Sequence, residues 1–271
     1  MSSKLGIIAG GGTLPAQLVA AAKRQGRDCF VIAIKDSADP AGLDGVEHVW
    51  LRMGEAGRAF ALLHAQSVGE IVMAGPVRRP TLMDLRPDWR TARFFARIGL
   101  KALGDDGLLR AVIGEIEGEG FRVVAAHDIL GDVLAPEGVW GRLAPDAQAG
   151  SDIARAVEVA QGLGRLDVGQ AVVVQQGIVL GVEAVEGTDA LLSRVAGLRR
   201  DGPGGVLVKL CKPGQDRRVD LPTIGTETVK LAASAGLRGI AVEAGAALVV
   251  DLDAVVGAAD ASGLFVAGIV L

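Results

Sequence analysis

The first half of the chain alternates short apolar runs with stretches of helical periodicity, and this alternation limits the fold more than any other feature. The apolar runs LGIIAG, CFVIAI and EIVMAG are separated by PAQLVAAAKRQG and by a helical stretch around Gly57 to Gln66. Helical stretches near Trp89 to Leu103 and Asp106 to Glu119 then precede the run FRVVAAH, which ends at His127. Because strands that alternate with helices need right-handed crossovers, the pattern predicts a doubly wound, mainly parallel, Rossmann-like α/β domain over residues 1–132.

A second, less regular α/β domain is predicted for residues 151–271. Residues 133–150 are rich in proline, glycine and alanine without any period, which is typical of an interdomain linker. Beyond them, Ser151-Asp152 is typical of a helix start and Gln176-Gly177 of a turn between two strands. The runs GGVLVKL, GIAVEAG, ALVVD and LFVAGIV follow, separated by further helical stretches. The expected fold class is therefore α/β in both domains.

Composition and charge exclude several classes of protein. The net charge of -4 argues against a general nucleic-acid binder, and the absence of tyrosine argues against a surface that stacks bases. No apolar run is long enough to span a membrane, and Gly10 to Gly12 and Pro15 interrupt the apolar core that a signal peptide needs. Since Cys29 and Cys211 both stand in apolar stretches, we expect buried, reduced thiols and a cytoplasmic protein.

A glycine triplet, Gly10 to Gly12, follows the first apolar run and precedes the first helical pattern. N–H groups at a helix N-terminus bind phosphate, and glycine lets the backbone approach it closely. The alternative is a tight strand-to-helix turn, with Pro15 in the first helical turn. Arg78 and Arg79 follow another predicted strand and can bind phosphate through planar pairs of donors, although arginines are also common in exposed loops.

Three charged residues interrupt otherwise apolar strands of the second half: Glu183, Lys209 and Glu243. Because burial of an unpaired charge is costly, each must meet an opposite charge, a metal ion or a polar ligand. One interpretation is a mutual salt-bridge network. The other is a site, since further acids and bases, including Lys212 and Asp220, follow these strands within a few residues.

The segment VLVKLCKPGQDRRVDLPTIG holds the densest chemistry in the chain. A carboxylate at Asp220 can hold Mg²⁺ or orient a water molecule while Lys209 and Lys212 offset phosphate charge. A structural aspartate in a turn is the alternative.

Signatures along the whole chain resemble the magnesium-dependent UDP-2,3-diacylglucosamine diphosphatases of lipid A biosynthesis, in their two-domain alphaproteobacterial type. These signatures are LGIIAGGGTLP, AGPVRRP, GDDGLLR, LGRLDVGQAVVV, VEAVEGTDALL, VLVKLCKPGQDRRVDLPTIG, AGLRGIAVEAG and GLFVAG. The resemblance implies Mg²⁺-dependent hydrolysis of UDP-2,3-diacylglucosamine to UMP and 2,3-diacylglucosamine 1-phosphate (lipid X), with water attacking the phosphorus of the sugar phosphate. It implies that the first domain holds UDP, that the second holds the diacylated sugar phosphate, and that hydrolysis occurs where the domains meet.

The resemblance also implies the site residues. Asp220 is the expected catalytic and metal-binding residue, with Lys209 and Lys212 as catalytic partners. The expected substrate contacts of the first domain are Gly10, Gly11, Gly12, Leu14, Gly54, Glu55, Gly75, Arg79, Asp105, Asp106 and His127. Those of the second domain are Gln170, Glu183, Thr188, Asp189, Gln215 and Thr223. The chain departs from the family at GEAGR, where relatives carry GEFGK.

Because such a substrate is amphipathic, peripheral contact with the inner-membrane surface is a candidate interaction of the protein. A homodimer is a candidate assembly.

Two other classes of function stay open at this stage. A noncatalytic carrier or sensor would bind the nucleotide lipid without releasing UMP. A nucleotide-sugar oxidoreductase would use the glycine triplet for a dinucleotide, although Asp36 is the nearest acid for its ribose and follows Lys35.

Overall fold

The computed structural model describes residues 3–78, 86–98 and 105–271 of the chain. The chain divides into two compact units, Met1–Gly131 and Asp132–Leu271.

A five-stranded sheet lies at the centre of the first unit. Its strands are β1 (Lys4–Ala9), β2 (Cys29–Ile34), β3 (Glu47–Leu51), β4 (Val68–Ala74) and β5 (Arg122–Val123). Their order is β3-β2-β1-β4-β5 and every described pairing is parallel. The helices are α1 (Leu14–Arg24), α2 (Ala56–Ala65), α3 (Trp89–Ile98), α4 (Asp105–Gly118) and α5 (Ala126–Leu130). Crossovers run outward from central β1 in both directions, so the predicted doubly wound sheet is confirmed.

Two details of this unit differ from the prediction. The strand β3 was not predicted, because its sequence EHVWL begins with two exposed polar residues and it lies at the edge of the sheet. The strand expected to end at His127 ends at Val123, and His127 lies in the short helix α5. The predicted helix from Trp89 to Leu103 is described as far as Ile98, and residues 99–104 lie outside the described residues.

The second unit contains a six-stranded mixed sheet and a small parallel pair. The strands are β6 (Gly138–Trp140), β7 (Ala171–Gln175), β8 (Ile178–Val182), β9 (Val206–Lys209), β10 (Thr223–Ile224), β11 (Gly239–Glu243), β12 (Leu248–Val249) and β13 (Phe265–Ile269). The large sheet has the order β6-β13-β11-β9-β7-β8, and β10 pairs with β12. Its helices are α6 (Ala147–Arg165), α7 (Gly187–Val195), α8 (Thr226–Ser234) and α9 (Leu252–Ser262).

Alternate residues of the strands face two separate apolar layers in this unit. In β9, Leu207 packs in the layer that contains α7, α8 and α9, whereas Val206 and Val208 pack in the layer that contains α6. Because side chains alternate along a strand, each face of the sheet needs its own helical cover. The second unit therefore has three layers, and its predicted α/β class is confirmed.

The predicted linker and helix start are wrong in this unit. Residues 133–150 contain β6, which pairs antiparallel with β13, and the first turn of α6. Asp146 caps α6, with its carboxylate accepting a hydrogen bond from the N–H of Ala149 at 2.8 Å. Asp152 is instead buried inside the helix, where its oxygens accept from the N–H groups of Gln176 (3.0 Å) and Gly177 (2.7 Å). The carboxylate that looked like a helix cap thus holds the predicted turn between β7 and β8.

Candidate functional site

Most of the candidate residues of the second unit gather at one edge of its large sheet. At this edge Ala171, at the amino end of β7, pairs with Lys209 at the carboxyl end of β9. Val242, one residue before the end of β11, also pairs with Lys209. Gln170 precedes β7 and Glu183 follows β8, and the N–H of Glu183 donates to the carbonyl of Ala171 at 2.8 Å. Parallel strands bring ligand-binding residues to their carboxyl ends, so this edge is where a site is expected.

Lys209 is the buried cation of this edge. Lys209 is only 5% exposed, and its Nζ donates to the carbonyl of Thr223 at 2.8 Å. Burial lowers the pKa of the Lys209 ammonium, and the nearby carboxylates of Glu183, Asp189 and Asp220 oppose that shift without cancelling it. The buried cation therefore depends on surrounding acids, which favours a cluster of charges over an isolated lysine.

Glu183 and its neighbours form the second part of the cluster. Glu183 is buried, with Oε1 accepting from the Thr188 hydroxyl at 2.6 Å and Oε2 accepting from the N–H of Gln170 at 3.2 Å. The carboxamide oxygen of Gln170 is buried and has no hydrogen-bond partner among the described residues. Since buried polar atoms are almost always paired, this oxygen is suited to accept from a hydroxyl or N–H of a ligand.

The loop after β9 carries Asp220 and holds it through Gln215. The buried Gln215 side chain donates from Nε2 to Oδ2 of Asp220. Its Oε1 accepts from the N–H of Lys212 at 2.8 Å and from Sγ of Cys211 at 3.2 Å. Both ends of the Gln215 amide therefore bind protein atoms. This arrangement indicates that Gln215 positions Asp220, whereas the sequence had suggested that Gln215 contacts the substrate directly.

Lys212 and Glu243 have partners that the sequence did not reveal. Nζ of Lys212 pairs with Oδ1 of Asp167 at 2.7 Å. Glu243 accepts from the N–H of Cys211 at 3.0 Å and lies 3.5 Å from Arg217. Within the described ranges, no ion pair joins Lys209 directly to Glu183 or Glu243, so the three strand charges do not form the simple mutual network that was one interpretation.

Cys211 does not contribute a nucleophile to this cluster. Burial and the nearby Glu243 carboxylate raise the pKa of the Cys211 thiol to about 11. The thiol therefore stays protonated near neutral pH. Both cysteines are free, as expected, but only Cys29 is fully buried and Cys211 is partly exposed.

The donors at this edge are compatible with Mg²⁺. Among the residues that the structure describes, no group of three or more histidine, cysteine or acidic side chains is arranged to hold a metal ion. Mg²⁺ in phosphate-binding enzymes is commonly held by one or two carboxylates, with water and substrate phosphate completing its shell. The Asp220 carboxylate is an oxygen donor of the required type.

In the first unit, the candidate loops after β1 and β4 lie side by side. These strands are neighbours, and the strand order reverses at β1, which is where open α/β sheets bind ligands. The N–H of Gly10 donates to the carbonyl of Ala74 and that of Gly11 to the carbonyl of Pro76, both at 2.8 Å. Two of the three amides expected to bind phosphate are thus used within the protein. The glycines serve first to let two backbone loops approach each other.

Replacement of Gly10 by alanine is expected to destabilise the first unit. A Cβ at this position would lie 2.5 Å from the carbonyl oxygens of both Gly75 and Pro76. Such overpacking costs about 1–3 kcal/mol, so the urea midpoint of Gly10→Ala should fall. Gly114→Ala in α4 is the matched control, because a Cβ there meets nothing within 4 Å. Equal midpoints for Gly10→Ala and the unsubstituted chain would show that this contact is not tight.

The GEAGR loop, residues 54–58, is hydrogen-bonded to the start of α3. The carbonyl of Gly54 accepts from the Thr91 hydroxyl at 2.9 Å, and Oδ2 of Asp88 accepts from the N–H of Gly57 at 2.8 Å. Burial pulls the pKa of Asp88 upward, but hydrogen bonds from Thr91 and from the backbone of Gly57 outweigh it and leave the pKa below its ordinary value. Glu55 accepts from the N–H of Arg52 at 2.9 Å. Gly54 and Glu55 are therefore hydrogen-bonded within the protein. The contribution of the Asp88 carboxylate to this loop was not predicted from the sequence.

The other candidates of the first unit are placed as follows. Asp106 is buried in the first turn of α4. Leu14 begins α1 with Pro15 in its first turn, which agrees with the alternative interpretation of a strand-to-helix turn. His127 is partly buried, and its Nδ1 has no hydrogen-bond partner in the described part of the chain. Arg79 and the side chain of Asp105 lie outside what the structure describes.

None of the described helices combines the length and the apolar character needed to cross a bilayer.

Comparison with known proteins identifies the family. Residues 4–133 match the LpxI N-terminal domain and residues 136–267 match the LpxI C-terminal domain. The chain is 45% identical over 273 aligned residues to the UDP-2,3-diacylglucosamine pyrophosphatase LpxI of Caulobacter vibrioides, covering 98% of this chain and 97% of that protein.

Likeness to solved structures is weak. A UDP-glucose-4-epimerase from Stenotrophomonas maltophila aligns at 12% identity and a TM-score of 0.30, covering 44% of this chain and 35% of the epimerase. An NAD-dependent epimerase/dehydratase from Methylobacillus flagellatus aligns at 15% identity and a TM-score of 0.26, covering 54% and 45%. Neither alignment bears on function. The two domain matches and the full-length relative show that the chain belongs to the LpxI family.

Proposed function

We propose that this protein hydrolyses the diphosphate bond of UDP-2,3-diacylglucosamine, releasing UMP and 2,3-diacylglucosamine 1-phosphate, in lipid A biosynthesis. The observation that carries the proposal is the near full-length identity to the Caulobacter pyrophosphatase. The sheet edge of the second unit agrees with it, since acids, a buried lysine and an unpaired amide oxygen gather there.

Each residue of that edge has a separate role in phosphoryl transfer. Asp220 would hold Mg²⁺ and orient the attacking water, and bound Mg²⁺ would supply the charge that offsets the diphosphate oxygens. Lys209 stabilises negative charge on the sugar phosphate, with its position fixed by the Thr223 carbonyl. Gln170 accepts a hydrogen bond from the sugar portion through its unpaired oxygen. Lys212, held by Asp167, adds positive charge to the same loop.

The first unit binds the uridine diphosphate in this proposal. Its loops after β1 and β4 provide the position, and Gly12 at the start of α1 adopts a left-handed φ of 75° that suits glycine. Because Gly10 and Gly11 donate to Ala74 and Pro76, they shape the loop and the nucleotide contacts fall to Gly12 and the start of α1.

Substitution of Gln215 by leucine is expected to lower kcat by about ten- to a hundredfold with a smaller change in KM, since a displaced catalytic group costs that much. Asp220 would lose the amide that holds its carboxylate. The half-saturating Mg²⁺ concentration should rise as well, which a purely structural role would not require. Steady-state kinetics at varied substrate and Mg²⁺ concentrations measure all three quantities.

Gln175→Leu is the matched control for Gln215→Leu. Gln175 is also fully buried with both amide ends bonded, to Arg200 and Pro203, but it lies at the opposite end of β7. Loss of these bonds should cost about 1–3 kcal/mol of stability without altering kcat per folded molecule. Equal kinetic damage in both variants would refute a special role for Gln215.

Turnover separates hydrolysis from noncatalytic binding. Purified protein given excess UDP-2,3-diacylglucosamine in detergent micelles with Mg²⁺ should release many equivalents of UMP, and a chelator should stop the release. A single equivalent bound without UMP, with or without Mg²⁺, would refute the proposal and indicate a carrier.

A further inference from the structure

The helix α3 presents a face of tryptophan and arginine to solvent. Trp89, Arg93 and Arg97 are spaced by four residues and therefore lie along one side of the helix. Trp89 is 82% exposed, whereas Trp50 is partly buried and Trp140 is 7% exposed. Trp89 is therefore the tryptophan of this chain that offers most of its ring to a partner, with its arginine neighbours beside it.

Other side chains of α3 fix the helix to the first unit. Thr91 is 4% exposed and its hydroxyl donates to the carbonyl of Gly54. Arg90 lies 4.6 Å from the ring centroid of Phe60 and pairs with Glu115 and Glu119. These contacts hold the helix firmly, so the outward position of Trp89 and Arg93 is a property of the fold.

Charge favours an anionic partner for the outer face. The described stretch 86–98 holds four arginines and one acid, in a chain whose net charge is -4. Arg86 and Arg93 are exposed, and neither has an ion pair within the residues that the structure describes, while Arg97 pairs with Glu115 and stays 61% exposed. Tryptophan settles at the headgroup level of a bilayer, and arginine binds lipid phosphates there.

We propose that the outer face of α3, formed by Trp89, Arg93 and Arg97, docks on an anionic phospholipid bilayer together with Arg86, which lies just before the helix. The inference rests on the proposed function, because a substrate with two acyl chains resides in a membrane and a protein that consumes it gains from contact with that surface. The binding is weak and reversible, since it uses one aromatic side chain and a few charges.

Vesicle binding without substrate tests the proposal. The full chain should sediment with vesicles of phosphatidylcholine and phosphatidylglycerol, bind poorly to phosphatidylcholine alone, and be released by salt. Each arginine near such a surface strengthens partition by about fivefold, so Arg93→Glu should weaken it by about tenfold or more. Arg24→Glu is the control, because Arg24 is an exposed arginine on α1 of the same unit. Equal partition of Arg93→Glu and Arg24→Glu would overturn the proposal.

Tryptophan fluorescence gives a second readout. On binding to the anionic vesicles, emission should shift to shorter wavelength, and Trp89→Phe should abolish the shift because the other tryptophans are more buried. A shift that persists in Trp89→Phe would also overturn the proposal. Turnover in detergent micelles is measured separately, so failure of docking with normal UMP release refutes only the docking, and docking without UMP release refutes only the proposed function.

Discussion

Asp220→Asn should release UMP at least about a hundredfold more slowly than the unsubstituted protein, since it removes the carboxylate that we propose to hold Mg²⁺, and with it both charge and orientation. The asparagine keeps the shape of the side chain, and its oxygen can still accept from Gln215. The expected defect is therefore chemical, with stability nearly unchanged. Steady-state release of UMP from UDP-2,3-diacylglucosamine, together with thermal unfolding, measures both properties.

Asp216→Asn is the matched control for Asp220→Asn. Asp216 is an acid of the same loop, and its carboxylate binds Arg218 at 2.7 Å. Its substitution should change turnover only by a few fold, because a partly exposed ion pair contributes about 1 kcal/mol or less. Comparable losses in the two variants would mean that the loop as a whole, and no single carboxylate, supports activity.

Lys209→Met should lower the free energy of unfolding by about 1–3 kcal/mol, because the Thr223 carbonyl loses its hydrogen-bond donor and the buried Glu183 loses a nearby positive charge. The acids near Lys209 are Glu183, Asp189 and Asp220, of which Glu183 is itself buried. Urea unfolding followed by circular dichroism gives the change. Turnover per folded molecule should also fall, since the cation that stabilises the phosphate would be missing.

Lys230→Met is the control that separates the effect of removing Lys209 on stability from the effect of removing any lysine. Lys230 lies on α8 with its side chain 66% exposed, and it pairs with the exposed Glu227. Exposed pairs of this kind contribute about 0.2–1 kcal/mol, so its urea midpoint should barely move. If Lys209→Met were as stable as Lys230→Met, the acids around residue 209 would not depend on its charge.

The sequence predicted the fold class better than the contacts of the site. Apolar runs predicted the central strands of both sheets, because burial of strand residues depends on local periodicity, whereas the edge strands β3 and β6 were missed. The helix start at Ser151-Asp152 failed, because Asp152 bonds to a turn that lies 24 residues further along the chain. Local capping signals cannot distinguish a helix cap from a carboxylate used in tertiary structure.

The glycine triplet shows the same limit at the candidate site. Its position after β1 was predicted correctly, but Gly10 and Gly11 bond to Ala74 and Pro76, more than 60 residues away in the chain. Such a close approach of two loops leaves no local pattern in either one. Likewise, the pairing of Lys212 with Asp167 joins residues 45 positions apart. The charged residues within apolar strands indicated a candidate site in the second unit, and only the fold revealed which atoms meet there.

In the proposed mechanism the second unit uses Asp220 to hydrolyse the diphosphate at the sugar's own phosphorus. Hydrolysis of UDP-2,3-diacylglucosamine in ¹⁸O-water with Mg²⁺, by the unsubstituted protein and by Asp220→Asn, tests this directly. The label should enter 2,3-diacylglucosamine 1-phosphate in the first case, and the variant should form almost no product. Label in UMP, or near-normal turnover by Asp220→Asn, would contradict the account.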